Sequence, residues 1–229
     1  MSGMDGILAV YKPVGITSFD VIRAFKRSVH PTYKIGHAGT LDPFAEGVML
    51  LMLGIGTKQF DQLQKLPKTY LATARLGASS DTLDVTGTIA EADKNIEYRK
   101  ISVEQIEKVA EKFVGEITQK IPDYSAAKIH GQPRYMLARR GEEVPAKSKI
   151  VTIYSIEIIS LLDDLCVMRV GCSSGTYIRQ LSYDIFHTLG LESYLEKLHR
   201  ESIGHNTEAM CARLENFSDS TWQDMVVMP

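Results

Sequence analysis

Six consecutive apolar residues, 48-VMLLML-53, follow directly on a stretch in which glycine or proline recurs at positions 36, 39, 43 and 47. A run with no polar residue has no face to offer to water, so it reads as a strand buried on both sides. It is far too short to span a bilayer, which takes about 20 residues. Whatever the punctuated loop before it carries is therefore presented from a rigid, buried support. That loop, 36-GHAGTLDP-43, concentrates His37, Thr40 and Asp42 among glycines. Gly36 and Gly39 permit backbone conformations that other residues avoid, and Pro43 biases Asp42 toward an extended backbone. A carboxylate held in this way serves as a nucleophile or a base, or is an ordinary turn aspartate.

Around this core the chain reads as irregularly alternating strands and helices. Ile7–Tyr11 is a strand candidate, stopped by Pro13 and Gly15. Thr17 or Ser18 caps a helix with Asp20 in its first turn, Lys26 and Arg27 in its last, and Ile22, Phe25 and Val29 as its apolar stripe. Residues 33–47 read as a shaped loop. Tyr70–Leu76 reads as a strand, and Ser102 with Gln105 as a capping box for a helix closed by Gly115. Residues 119–149, broken by Pro122, Gly131, Pro133, Gly141 and Pro145, form a long irregular insertion. Ile150–Leu162 and Leu165–Val170 are strands, Thr176–Leu189 is a helix, and Leu191–His199 is a further short helix. The last twenty or so residues are acidic and weakly periodic. The expected class is α/β (α+β) around a mixed sheet, with one catalytic domain over 1–206 and a short acidic tail over 207–229.

Charge and cysteine use narrow the function. The 229 residues carry a net charge of −2, which hides an uneven distribution. Residues 1–80 hold nine Lys/Arg against five Asp/Glu, 120–149 hold seven against three, and 201–229 hold one against five. A polyanion can meet a positive face despite such a mean. Cys166, Cys172 and Cys211 form no CxxC pair, in keeping with a reducing, cytoplasmic setting, and no N-terminal signal segment or membrane span is expected. Residues 54-GIGTK-58 lack phosphate-loop spacing, no GxGxxG, GxSxG or HExxH occurs, and His199, His205 and Cys211 lack zinc-site spacing.

Two further stretches carry candidates. In 172-CSSGTYIRQL-181 a strand gives way to a helix, placing Arg179 near the first helical turn. A cation there opposes the helix dipole by roughly 0.3–1 kcal/mol, so an anionic partner or an exposed site is implied. Tyr70, in 68-KTYLATARLG-77 ahead of 81-DTLDVTG-87, is a core aromatic or a stacking surface for a flipped base.

Five blocks occur in order: 12-KPVGITS-18, the loop and strand over 36–58, the KTY…ARLG…DTLDVTG block, 125-SAAKIHGQPRYMLARRGEEV-144 and CSSGTYIR. Together, across residues 7 to about 205, they resemble the TruB family of tRNA pseudouridine synthases. The resemblance implies the pseudouridine synthase fold, a mixed and largely antiparallel sheet flanked by helices with a central catalytic cleft. It implies isomerisation of uridine to pseudouridine, with uridine 55 in the T-loop of tRNA as the usual target. Asp42 matches the catalytic aspartate, Tyr70 the aromatic that stacks on the flipped uracil, and Arg179 the arginine that pairs with the aspartate. His37 matches the histidine that helps to place the RNA. Lys12 and Tyr177 line or support the pocket, and Lys128, Arg134, Arg139 and Arg140, with the cations of 12–34, are expected to meet phosphates.

The isomerisation changes no oxidation state, so neither metal nor cofactor is expected. The partner expected is the T-arm stem-loop of tRNA, with no membrane and no obligatory protein partner, and the chain is expected to be a monomer. The third loop position, commonly a hydroxyl residue, is Ala38, and 198-LHRES-202 has His199 in place of an arginine. The C-terminal PUA domain of many members is not expected in the residues that follow. Two alternatives remain at this level, a tRNA-binding folding assistant and a pseudouridine synthase for another RNA.

Overall fold

The computed structural model describes residues 4–91, 101–125, 127–129 and 131–228. Chain order runs β1 (Gly6–Lys12), α1 (Ser18–Val29), β2 (Ile35–Ala38), β3 (Glu46–Leu53), α2 (Phe60–Lys65), β4 (Lys68–Leu76), β5 (Ala78–Ser80), β6 (Ile89–Glu91), α3 (Val103–Ala110) and β7 (Gly115–Lys120). It continues through β8 (Lys128–Ile129), β9 (Gln132–Pro133), α4 (Arg134–Arg139), β10 (Ser148–Leu162), β11 (Leu165–Cys172), α5 (Ile178–Thr188), β12 (Ser193–Ile203) and β13 (Asn206–Thr207). Pairing is mixed and largely antiparallel: β1 and β2 with β3, and β7 and β11 with β10, run antiparallel, whereas β12 meets β3 in parallel. Helices flank the strands, as expected for the pseudouridine synthase fold.

Two compact units divide the chain, one formed by Met1–Leu71 with Leu198–Pro229 and the other by Ala72–Lys197. In the first, β3 is the spine. Its successive residues alternate between two apolar clusters: Met49, Leu51 and Leu53 join Leu8, Val10 and Phe25, while Val48, Leu50 and Met52 join Ile7, Ala9 and Ala38. That two-sided burial explains the unbroken apolar run. Helix α1 packs its stripe on the first cluster. Thr17 rather than Ser18 is its cap, in a capping box with Asp20. Part of the expected loop over 33–47 is strand instead, because Ile35–Ala38 pairs with Leu53–Leu50 of β3.

Residues 207–229, expected as a tail, are packed. Phe217 and Trp222 meet the Phe25 ring edge-on at centroid distances of 5.1 and 4.8 Å, and Val227 exchanges two backbone hydrogen bonds with Ile7. Truncating a buried aromatic of this kind costs about 3–5 kcal/mol, so this segment belongs to the core of the first unit.

In the second unit β4, β11, β10 and β7 follow one another. The helix expected over Leu191–His199 is strand β12. Its buried apolar residues Tyr194, Leu195 and Leu198, with Leu191 before the strand, fall at i, i+3, i+4 and i+7 spacing and so mimic a helix. The capping box of Ser102 and Gln105 opens α3 as expected. The insertion is a short β8–β9 ribbon leading into α4; its Ala126 and His130 lie outside the described residues.

Candidate active site

Asp42 sits half-buried between β2 and β3 in the first unit, and its loop is tied down at nearly every residue. The Ser18 hydroxyl accepts from the Leu41 amide at 2.8 Å and lies 3.0 Å from the Leu41 carbonyl, to which it donates. The Gly15 amide donates to the Pro43 carbonyl at 2.8 Å, and the Ala45 amide to the Asp42 carbonyl at 3.1 Å. Arg200, 1% exposed, donates through Nε to the Val48 carbonyl at 2.7 Å and through its two terminal nitrogens to the carbonyls of Thr40 and Gly39, each at 3.4 Å.

Two glycines make this approach feasible. Gly39 has φ +90°, a left-handed conformation; Gly36, expected to share that role, does not. Gly47 has φ +114°, and a Cβ there would lie 2.3 Å from the Arg200 carbonyl oxygen, where β3 meets β12. Only glycine fits both the torsion and the gap.

Lys12 is fully buried and donates to the carbonyls of Pro13 and Ile16 at 2.9 Å each and of Pro43 at 3.5 Å. Burial, reinforced by the charge of Arg200, pulls its pKa from 10.5 down to about 8, while the carboxylates of Asp42, Glu46 and Asp20 pull it upward. Lys12 is therefore a strut of the loop and a cation in the field of Asp42, not a surface contact for RNA. His37, on β2, has its pKa lowered by burial and then by Arg200, and its Nδ1 is buried with no hydrogen-bond partner among the described residues. Tyr70 lies on the inward face of β4, 8% exposed.

In the second unit Arg179 is 4% exposed in the first turn of α5. Asp84 Oδ2, a carboxylate not named as its partner from the sequence, lies 3.1 Å from its guanidinium. The same guanidinium donates to the carbonyls of Thr82 at 2.7 Å and Tyr124 at 3.0 Å. Asp84 is itself buried and accepts from Thr82 Oγ1, the Thr86 amide and Thr86 Oγ1. Removing one member of such a pair strands a buried charge, at about 3–5 kcal/mol. Tyr177, half-buried, caps α5 from outside; its backbone is clamped by the Gln119 side chain at 2.8 and 3.1 Å, and the Lys149 ammonium lies 4.1 Å from its ring centroid. Burial takes the Lys149 pKa down to about 8.

The basic residues of the insertion separate into two kinds. Arg134 has no exposed surface: it donates to the carbonyls of Pro122 and Pro145 and to Asp123 Oδ1 at 3.2, 2.8 and 2.8 Å. The expectation that Arg134 meets phosphate is corrected accordingly, because its guanidinium knits the two ends of the insertion together. Arg139 and Arg140 are exposed on and after α4, Arg139 over the Tyr135 ring at 5.6 Å and Arg140 3.5 Å from Glu142. Lys128 is the first residue of β8.

Residues 26–178 match the model of the TruB family pseudouridylate synthase N-terminal domain, two thirds of the chain. The chain belongs to the TruB family. Curated relatives named tRNA pseudouridine synthase B include one from Dehalococcoides mccartyi, 42% identical over 88% of this chain and 66% of its own length. Another, from Clostridium tetani, is 38% identical over 98% of this chain and 76% of its own. A third, from Parabacteroides distasonis, is 40% identical over 96% of this chain and 94% of its own. The chain thus spans about two thirds of the Dehalococcoides protein and nearly all of the Parabacteroides one. Among solved structures, a chain of a Cbf5–Nop10–Gar1 complex superposes with a TM-score of 0.71 at 27% identity, over 94% of this chain and 54% of that one.

The two departures from the TruB pattern have structural explanations. Ala38 is fully buried against Leu50 in an apolar cluster, where a hydroxyl would need a partner. His199 Nε2 lies 3.0 Å from Glu208 Oε2 without hydrogen-bond geometry, and its ring is edge-on to Tyr11. Three functional supports were not singled out from sequence: Ser18, Arg200 and Asp84. Ser18 and Asp84 lie within blocks that carry the family resemblance and Arg200 within 198-LHRES-202, but a side chain serving a distant loop leaves no local period. A cavity of about 630 Å³ in the second unit, lined by Asp81, Lys120, Gln180 and Asp184 among others, contains none of the expected site residues. Among the described residues, no group of three or more His, Cys, Asp or Glu is arranged to hold a metal, and no helix is long and apolar enough to cross a membrane.

Proposed function

We propose that this chain isomerises uridine to pseudouridine in RNA, with uridine 55 in the T-loop of tRNA as the target. The observation that carries the reading is the fixed loop beneath a carboxylate: Asp42 stands on a backbone held by Ser18, Lys12 and Arg200, in a chain of the TruB family. The relatives named tRNA pseudouridine synthase B support the RNA class.

In this reaction the N1–C1′ glycosidic bond breaks, the uracil turns, and a C5–C1′ bond forms while C5 loses its proton and N1 gains one. Asp42 attacks the sugar or deprotonates it. Lys12 is a cation in the field of this carboxylate, and Arg179 is proposed as a further catalytic residue. Tyr70 supplies a ring surface for the extruded base and takes part in moving the C5 proton. His37, neutral near pH 7 and with a buried nitrogen unspent, helps to place the RNA. Arg139 and Arg140 meet phosphates of the T-arm. The chain acts as a monomer on the stem-loop, in the cytoplasm and without cofactor.

The test is to incubate the purified protein with unmodified tRNA and map pseudouridine at single-nucleotide resolution. Conversion confined to the T-loop uridine is the expected result. Modification elsewhere with none in the T-loop identifies another RNA class, and binding without conversion identifies a folding assistant.

A further inference from the structure

Helix α1 supports the Asp42 loop through Ser18, and its outer face carries an aromatic and a row of cations. Phe19 is 52% exposed in the first turn, an unusual place for a large apolar ring on a short helix. It follows directly on Ser18, whose hydroxyl holds Leu41. The Arg23 guanidinium lies 4.7 Å from the Phe19 ring centroid, and Asp20 fixes it there at 2.8 Å. Asp20 is in turn locked by the capping box with Thr17. At 100° per residue, Phe19, Arg23 and Lys26 fall within one arc of the helix, with Arg27 beside it, and all four are exposed.

A solvated charged face accounts for the cations alone. It does not account for a half-exposed phenylalanine held beneath an anchored guanidinium at the end of the helix next to the catalytic loop. Unpaired bases stack on aromatic faces and on arginine planes, and the following cations match the phosphates that continue from such a base. Charge complementarity and continuity with the Asp42 loop therefore select one occupant. Building on the functional reading above, we propose that Phe19 and Arg23 form a stacking platform for an unpaired nucleotide of the substrate RNA adjacent to the target uridine. Lys26 and Arg27 then track the backbone that leads away from it.

The platform is tested with a T-arm stem-loop carrying 2-aminopurine at each nucleotide flanking the target in turn, together with steady-state kinetics on the unlabelled stem-loop. At one flanking position the wild-type protein quenches 2-aminopurine fluorescence on binding, and Phe19→Ala does not. Phe19→Ala raises KM about tenfold, within the range of base stacking, with a smaller change in kcat. Phe19→Trp restores both readouts, whereas Phe19→Leu, which keeps bulk but no π-face, does not. Lys26→Gln lowers the slope of log affinity against log salt by about 0.7–0.9, as the loss of one phosphate contact requires. Wild-type-like quenching and KM in a folded Phe19→Ala, or full rescue by Phe19→Leu, overturns the platform. A wild-type protein that makes no pseudouridine from the stem-loop instead overturns the underlying functional reading, so the two failures are distinguishable.

Discussion

One hydroxyl, that of Ser18, holds both the amide and the carbonyl of Leu41, at 2.8 and 3.0 Å, and so fixes the residue immediately before the catalytic candidate Asp42. Both residues are buried, with Ser18 and Leu41 each 3% exposed, so neither peptide group has water to fall back on. Ser18→Ala leaves two buried polar groups unpaired, at about 1–3 kcal/mol each at most. The expected outcome is a fall in Tm of several degrees and a larger proportional loss of turnover than of RNA affinity, read by thermal melts and by kinetics on a T-arm stem-loop. Normal turnover in this variant contradicts a loop whose geometry depends on Ser18.

Arg179→Lys keeps the charge but not the planar fork that reaches Thr82, Tyr124 and Asp84 together. A large fall in turnover with a smaller change in RNA affinity is expected, alongside a measurable loss of stability because Asp84 is buried with it. Equal losses in turnover and affinity mean that Arg179 mainly holds a phosphate.

Lys12 gives the protein a pH signature. Its folded pKa, about 8, lies below the ordinary 10.5. Between these values the unfolded chain holds a proton that the folded chain has released, so stability rises with pH through the window. The contribution is complete above about 10.5 and is lost as pH falls through about 8. Denaturant unfolding of wild type and Lys12→Met from pH 7 to 10 should therefore show their stability difference shifting in favour of wild type as pH rises, by up to about 3 kcal/mol. A pH-independent difference contradicts a buried, proton-shedding Lys12.

Much of the fold is legible in the sequence because burial imposes a period. The apolar run of β3, the stripe and cap of α1, and the capping box of α3 each follow from local chemistry. Strand β12 does not, because Leu191, Tyr194, Leu195 and Leu198 fall at helical spacing and the buried Arg200 that follows looks polar in any pattern. The same residue, Arg200, is the tie that closes the Asp42 loop, 160 positions from the Thr40 carbonyl it binds. Asp42 itself is legible from its loop and the ordered blocks, whereas its supports are long-range and silent. Arg134 shows the reverse error: a basic residue in a basic insertion reads as an RNA contact, yet its full burial makes it a strut.

That distinction within the insertion is measurable. Charge reversal of the exposed Arg139 and Arg140 should weaken stem-loop binding and flatten its salt dependence, by about 0.7–0.9 in slope for each phosphate no longer neutralised. Arg134→Gln should leave the slope of the residual binding unchanged while exposing the segment around 122–145 to proteolysis. A flattened slope in a folded Arg134→Gln reverses the assignment.

The central claim rests on one carboxylate, and the exchange of one oxygen for nitrogen tests it. Asp42→Asn preserves size and the backbone bond from the Ala45 amide to the Asp42 carbonyl, so it should fold and melt like wild type and still bind the stem-loop. Single-turnover assay of pseudouridine in a T-arm stem-loop with saturating protein should give complete conversion for wild type and no detectable product for Asp42→Asn. Product formation at near the wild-type rate in a folded Asp42→Asn would contradict the account.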